Sequence, residues 1–412
     1  MFDLARLPRP DSRRLAIRVT AAAERELRQG HPWLFDGGVT SVSFAGQPGD
    51  LGVVFDGERR FLAIGLYDPT SPIRLRVLQH REPAPIDAAW FRGRLLAAAG
   101  RRAALQADES VTGLRLVHGE NDGLPGLVVD VYATVQVLRL DTAAWVPHLT
   151  TLVPLLVELW RPAGIVLRLS RRAAAQPEFL AGLTDGQLLH GTLPEPPLLF
   201  RENGFLMEVD PVAGQKTGYF LDQRDNRAYV ETLAAGRDLL DVFAYHGGFA
   251  LHAARGGARA LVTIDQSQPA TATALRNFKR NENLTGRPAA DYETLVGDAF
   301  QTMALLARHG RRFDLIVLDP PSFARRQADV PGALVAYRRL VLAGLELLAP
   351  AGILVAASCS SRVAAEPFFA LVQETVREAG RPGQVLRTSQ HAIDHPIGFT
   401  EGAYLKCIAL RS

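Results

Sequence analysis

Two short strings carry the residue types able to do covalent or acid–base chemistry. "FDLIVLDPPS" (Phe313–Ser322) runs an apolar stretch into Asp319 and stops it with Pro320 and Pro321. "GILVAASCSS" (Gly352–Ser361) runs another into Cys359, set among Ser358, Ser360 and Ser361. Stretches of Leu, Ile and Val of this length suit strands buried on both faces of a parallel sheet. Proline has no N–H for a sheet ladder, so the first strand must end at Pro320. Each polar residue is then held at the carboxyl edge of the sheet, where open α/β folds bind ligands. A thiol there is a candidate nucleophile, and a carboxylate is an acceptor for a ring N–H or an amino group. Plainer readings stay open: an acid before Pro-Pro makes a solvated turn, and a cysteine after a strand is often an inert core thiol. Cys407, in "YLKCIAL", reads as such a core thiol.

Three more polar endings precede these two. "LLDVFAY" leads into His246, Gly247 and Gly248 and then a helix; paired glycines there let a ligand approach the backbone and the helix N–H groups. "ALVTIDQS" ends in Asp265, a suitable partner for ribose hydroxyls, and "VGDAF" carries Asp298. Any one of these makes a capped helix or a turn. Four consecutive strand–helix units ending in Gly-Gly, Asp, Asp and Asp-Pro-Pro define one polar sheet edge. The glycines do not spell G-x-G-x-x-G, which disfavours a nicotinamide dehydrogenase.

Positioning these endings requires a doubly wound α/β sheet from about Arg237, with strands alternating with helices. At 412 residues the chain is too long for one ordinary core. Upstream, "GDLGVVFD", "RFLAIGLYD" and "SPIRLRVL" give a small β-barrel within residues 1–80, with Arg74 and Arg76 on one face. An amphipathic helix over Ile86–Ala107, strands at "LPGLVVDVY", "TVQVLRL" and "AGIVLRLS", and a helix near Trp145–Leu159 give a middle α+β domain over 81–195. The proline-rich "GTLPEPPLLF" connects it to a third domain over 196–412.

Net charge is +3, yet arginines recur in pairs: Arg13-Arg14, Arg59-Arg60, Arg101-Arg102, Arg171-Arg172, Arg325-Arg326. Each pair alone reads as a solvated face; together they make a polyanionic partner plausible. Two cysteines in so long a chain suit a reducing compartment. No signal-peptide pattern opens the chain, and no stretch approaches the length of a membrane span, so a cytoplasmic protein without membrane attachment is expected.

Longer strings carry a resemblance. The chain resembles the class I S-adenosylmethionine-dependent methyltransferases, and more narrowly the bacterial large-subunit ribosomal RNA cytosine-C5 methyltransferases with an N-terminal PUA domain. "HPWLFDGGV" and "GLYDPTSPIRLRVL" match the PUA part, and "GLRLVHGENDGLPGLVVDVY" the middle domain. "QKTGYFLDQRDNR" matches the segment leading into the catalytic domain, and "DHPIGFTEGAYLK" its C-terminal end.

The resemblance implies S-adenosylmethionine lying across Gly247 and Gly248, flanked by Phe243 and Tyr245, with no metal. Asp265 would hold the ribose beside Gln266, Asp298 the adenine amino group, and Phe220 and Arg224 would close over the methionine end. Asp222 is expected to be structural in that segment. Asp319 would border the cofactor and bind the target base, and Cys359 would add to C6 of cytosine to activate C5. Some such enzymes carry a second cysteine where this chain has Pro321, so release of the adduct must use another group. The implied substrate is 23S ribosomal RNA, naked or in a precursor particle, and a homodimer is suggested. Two rivals remain: nitrogen methylation of a purine, which would leave Cys359 idle, and an RNA-binding assembly factor that keeps the fold.

Overall fold

The computed structural model describes residues 2–412. The chain forms two compact units: one ends at Leu199 and also takes in Val209–Tyr219, and the other comprises Phe200–Glu208 and Phe220–Ser412.

In the first unit a six-stranded sheet runs in the order Trp33–Phe35, Ile73–His80, Phe61–Tyr67, Leu51–Phe55, Leu15–Val19, Val39–Val42. Its two edge strands are consecutive in the chain, joined only by the turn Asp36–Gly38, so the sheet must curl round on itself as the barrel reading expects. A five-stranded sheet follows, in the order Leu188–Gly191, Gly164–Leu169, Val135–Leu140, Leu127–Tyr132, Gly113–His118. Trp33 Nε1 donates to Glu120 at 2.8 Å and Thr142 Oγ1 to Asp68 at 2.7 Å, which ties these two parts of the unit together.

Two expectations need correction in this unit. The helix over Ile86–Ala107 is two helices, Ala88–Arg101 and Ala103–Ala107, broken where the Arg102 side chain turns inward. There Arg102 bonds the Arg115 and Ala98 carbonyls and the Asp122 carboxylate, while exposed Arg101 reaches the same acid at 2.7 Å. That arginine pair is therefore a structural clamp. On the strand Ile73–His80 the Arg76 side chain is buried, 3.9 Å from Asp68, and that of Arg74 is largely covered beside Asp36. Finally, Ala143–Trp160 is long and apolar enough to cross a membrane by length and composition. It is a 3-10 turn followed by a helix, and Trp145, Leu149, Leu152 and Leu156 bury it in the core of this unit, which explains its apolarity.

In the second unit the central sheet has seven strands: β1 (Asp238–Val242), β2 (Ala260–Asp265), β3 (Tyr292–Val296), β4 (Phe313–Leu318), β5 (Leu348–Ser358), β6 (Gln384–Ser389) and β7 (Lys406–Arg411). Their order is β3-β2-β1-β4-β5-β7-β6, with β7 antiparallel to both neighbours and the first five strands parallel. The longer helices are α1 (Arg224–Leu233), α2 (Gly248–Arg255), α3 (Gln268–Arg280), α4 (Ala299–Arg308), α5 (Val330–Leu347) and α6 (Ala365–Glu378). Leu240, Val242, Val262, Ile264, Ile316, Leu318, Leu354, Ala356, Ile408 and Leu410 pack with apolar residues of α4, α5 and α6. They alternate along their strands, as one face of a pleated sheet must.

Asp241 lies on the opposite face of β1, fully buried, and its carboxylate has no side-chain hydrogen-bond partner. Burial, reinforced by the charge of Asp319, pushes its pKa up to about 8 from an ordinary 3.8. The folded chain thus keeps a proton that the unfolded chain loses above about pH 4. Stability from this group is full at low pH and is lost as pH rises through about 8. Asp241→Asn removes that loss, so urea melts should show the variant gaining on wild type between pH 5 and pH 8; a pH-independent difference would refute the assignment.

Candidate active site

The register of three parallel strands sets the site. Val242 of β1 pairs with Leu318 of β4, and Leu318 pairs with Ala356 of β5. Asp319 continues the ladder by one step, its N–H 3.4 Å from the Val242 carbonyl, before Pro320 and Pro321 end the strand. β5 runs on to Ser358, so Cys359 emerges beside that turn, with Sγ 3.8 Å from the Pro320 carbonyl oxygen. The two sequence-chosen chemical residues are brought together, and both are half-buried. Cys407 sits inside β7, fully covered, and burial pushes its thiol up to about 12. At neutral pH it is not ionised.

Asp319 is held by a chain of amides that sequence reasoning missed. Gln223 Nε2 donates to Asp319 Oδ1 at 2.8 Å, Asn226 Nδ2 to Gln223 Oε1 at 2.6 Å, and Ser389 Oγ to Asn226 Oδ1 at 2.6 Å. Gln223 and Asn226 are buried, so each amide has one usable orientation and the carboxylate is fixed. Both residues stood in the quoted string "QKTGYFLDQRDNR", but nothing in their spacing marked them.

The loop after β5 rests on a hydroxyl network. Tyr337 of α5 lies 2.8 Å from both Ser358 Oγ and Ser360 Oγ, and Ser322 Oγ is 3.0 Å from Ser360 Oγ. The small polar residues around Cys359 are therefore mostly inside, where they tie the β4 and β5 endings together. Beneath them lies Lys406, buried and at the first position of β7. A lysine in an otherwise apolar strand was the available signal, and the sequence reading passed over it.

The cofactor-side residues lie along the same edge. After β1 the backbone enters the left-handed region at Phe243 (φ 66°), Tyr245 (φ 49°) and Gly247 (φ 78°). Two such non-glycine residues in three carry about 1–3 kcal/mol of strain each, a cost that concentrates at ligand sites. Tyr245 N–H donates to Asp265 Oδ2 at 2.8 Å and Ser267 N–H to Asp265 Oδ1 at 2.8 Å, so the carboxylate at the end of β2 is aimed by two amides. The Phe220 ring meets the Tyr245 ring edge-on at 4.9 Å. Buried Arg227 forks onto Glu202 and gives a further N–H to the Phe220 carbonyl at 2.8 Å, which places that ring.

The remaining candidates have these surroundings. A Cβ on Gly247 would lie 2.5 Å from the Phe278 ring of α3, so packing alone demands glycine there. Gly248 is the first residue of α2. Asp298 caps α4, its Oδ1 accepting from Gln301 N–H at 3.0 Å, and it is exposed, as is Gln266. Arg224 is buried and its Nη2 is committed to Asp394 at 2.6 Å, while Nε and Nη1 have no partner. Asp222 accepts from the Tyr404 hydroxyl at 2.7 Å, the structural part expected of it.

Comparison with known proteins agrees with this geometry. Residues 190–399 match the family model of S-adenosylmethionine-dependent methyltransferases, and residues 17–80 match that of PUA-like domains. The chain is 47% identical over 408 residues to the ribosomal RNA large subunit methyltransferase of Deinococcus radiodurans, covering 98% of this chain and 99% of the other. It is 36% identical over 399 residues to ribosomal RNA large subunit methyltransferase I of Shewanella amazonensis, covering 96% and 99%. Among solved structures, a Streptococcus mutans chain assigned as a SAM-dependent methyltransferase superposes with a TM-score of 0.82 at 20% identity, covering 96% of this chain and all of that one. A methyltransferase solved with SAH gives the same TM-score at 21% identity, covering 97% and 100%. The chain belongs to the S-adenosylmethionine-dependent methyltransferases and, within them, to the family of the ribosomal RNA large subunit methyltransferases.

Proposed function

We propose that this chain methylates C5 of a cytosine in large-subunit (23S) ribosomal RNA in the cytoplasm, through a covalent adduct on Cys359. The observation that carries the reading is the pair at the sheet edge: a half-buried thiol beside the Asp-Pro-Pro turn, with the other thiol sealed in a strand. The names of the relatives supply the substrate class.

Cytosine C5 is a poor nucleophile. Addition of the Cys359 thiolate to C6 forms a C–S bond and makes C4–C5 enamine-like, so electron density gathers at C5. S-adenosylmethionine, when bound, supplies the electrophilic methyl group that C5 takes. Loss of the C5 proton and cleavage of the C6–S bond then restore the aromatic ring and the thiolate. The Asp319 carboxylate, oriented by Gln223, accepts a hydrogen bond at N3 or N4 and favours the protonated base, which adds thiolate more readily. The target base must leave its stack, since C6 is not reachable within one.

The residues on the edge fit the cofactor. Asp265 is amide-oriented and half-buried, able to accept from ribose hydroxyls. Arg224 keeps two unpartnered nitrogens, suited to a carboxylate. Phe220 and Tyr245 offer an aromatic wall, and exposed Asp298 and Gln266 border the adenine side. Exposed Arg325 and Arg326, just past the Asp-Pro-Pro turn, are placed to meet phosphates beside the target.

Cys359→Ser should bind S-adenosylmethionine normally and lose methylation almost completely. Wild type should form a stable covalent complex with RNA containing 5-fluorocytosine, and the variant should not. Near wild-type methylation by the serine variant would instead make nitrogen methylation the leading reading. Asp265→Ala should weaken cofactor binding by about 1.5–3 kcal/mol, the range for a hydrogen bond to a charged group; calorimetry that finds unchanged affinity removes Asp265 from the site.

A further inference from the structure

Lys406 is a buried cation whose partners carry no compensating charge. Its ammonium donates to the Ser360 carbonyl, to the Val363 carbonyl at 2.5 Å and to the Tyr404 carbonyl at 3.0 Å, and makes no ion pair with a carboxylate. Lysine is almost never fully buried unless paired with a charge, because carbonyl dipoles offset only part of the lost hydration. The position of this cation is specific. Lys406 is the Cα partner of Ser358 across β5 and β7, and its Nζ reaches past Cys359 to the carbonyls of Ser360 and Val363. It thus brackets the cysteine from both sides in sequence.

We propose that the Cys359 thiolate is the counter-ion of Lys406: the ammonium is held under the loop so that the sulfur is favoured as an anion. The inference rests on the reading of Cys359 as the nucleophile, and it names the residue that activates it. Lys406 touches no reacting atom and is a positioning residue that acts through Cys359.

The neighbouring groups of β4, α5 and the loop serines do not supply that charge. Asp319 from β4 is an anion and disfavours a second one. Tyr337 from α5 has its phenol pushed up by burial and stays neutral in the working range. Ser322, Ser358 and Ser360 contribute only hydroxyl dipoles. Lys406 itself is pulled down to about 8 by burial, with the interaction with Cys359 acting in the opposite direction. A thiolate formed nearby therefore makes the buried cation less costly.

The test uses full-length Cys407→Ser, in which Cys359 is the one remaining thiol. Its alkylation by iodoacetamide is followed against pH without RNA or cofactor. With Lys406 intact the midpoint should fall below the ordinary free-thiol value of about 8.5. Lys406→Met should raise it by about 1–3 pH units, the shift an adjacent opposite charge produces, and Lys406→Arg should restore much of it. A midpoint at or above the ordinary value with Lys406 intact overturns the proposal even where the methionine variant does not fold. So does a folded Lys406→Met protein, shown by S-adenosylmethionine binding, in which alkylation changes rate at every pH with the midpoint unmoved: Lys406 is then only a tether. The fluorocytosine trap separates this from the covalent mechanism, because a low thiol midpoint with no trapped adduct leaves Lys406 as the counter-ion and removes the catalytic role of Cys359.

Discussion

A parallel sheet buried on both faces has one place to put polar chemistry, the carboxyl edge, and strand register decides what meets there. The pairing of Val242 with Leu318 and of Leu318 with Ala356 places Asp319 one step past its strand and Cys359 three steps past its pairing residue. Neighbouring strands lie about 4.8 Å apart, so the two endings become neighbours. A slip of one residue between β4 and β5 would turn every side chain of one strand to the other face. The apolar alternation that packs against α4, α5 and α6 makes that slip expensive, so the core that stabilises the sheet also sets the spacing of the site.

Polar groups below that edge need partners, and the partners do the aligning. Gln223 and Asn226 satisfy one another and fix Asp319; the Tyr337 hydroxyl joins Ser358 to Ser360 and, through Ser322, to the preceding turn. Each such bond is worth only about 1 kcal/mol net, but leaving a buried member unpaired costs more than that. The networks therefore resist loosening more than they add stability, which suits a site where small displacements matter. Asp241, a buried acid beneath the same edge, joins neither network, and Asp319 raises its proton affinity further.

Periodicity and composition made the frame legible. Apolar runs ending in Asp265, Asp319 and Cys359 named the strands and their polar ends, because a buried strand has a pattern and a terminator that are both local. Residues acting through long-range contacts left no such trace. Gln223 meets Asp319 across 96 positions, and Lys406 meets Ser360 across 46. The pair Arg101-Arg102 could not be placed for the opposite reason: charge is local in sequence, but burial is not. Arg102 is a clamp on Asp122 while its neighbour Arg101 is half exposed. Gly247 was read as room for a ligand, and the ring of Phe278 adds a packing demand for glycine that the sequence did not show.

The two cysteines show how completely position governs chemistry here. Cys407 pairs with Ala357 across β5 and β7, two residues before Cys359 on the neighbouring strand. Inside the sheet burial outweighs the hydroxyl of Ser389 and the charge of Arg387 and keeps Cys407 protonated. Two steps further along β5 the ladder ends, the loop meets the Asp-Pro-Pro turn, and an ammonium lies under it. The residue that separates the two environments is Lys406, adjacent to Cys407 in sequence and facing the other side of the sheet. Alternation thus gives β7 two tasks: one face seals a thiol in the core, and the other carries a charge to the place where a thiol can ionise.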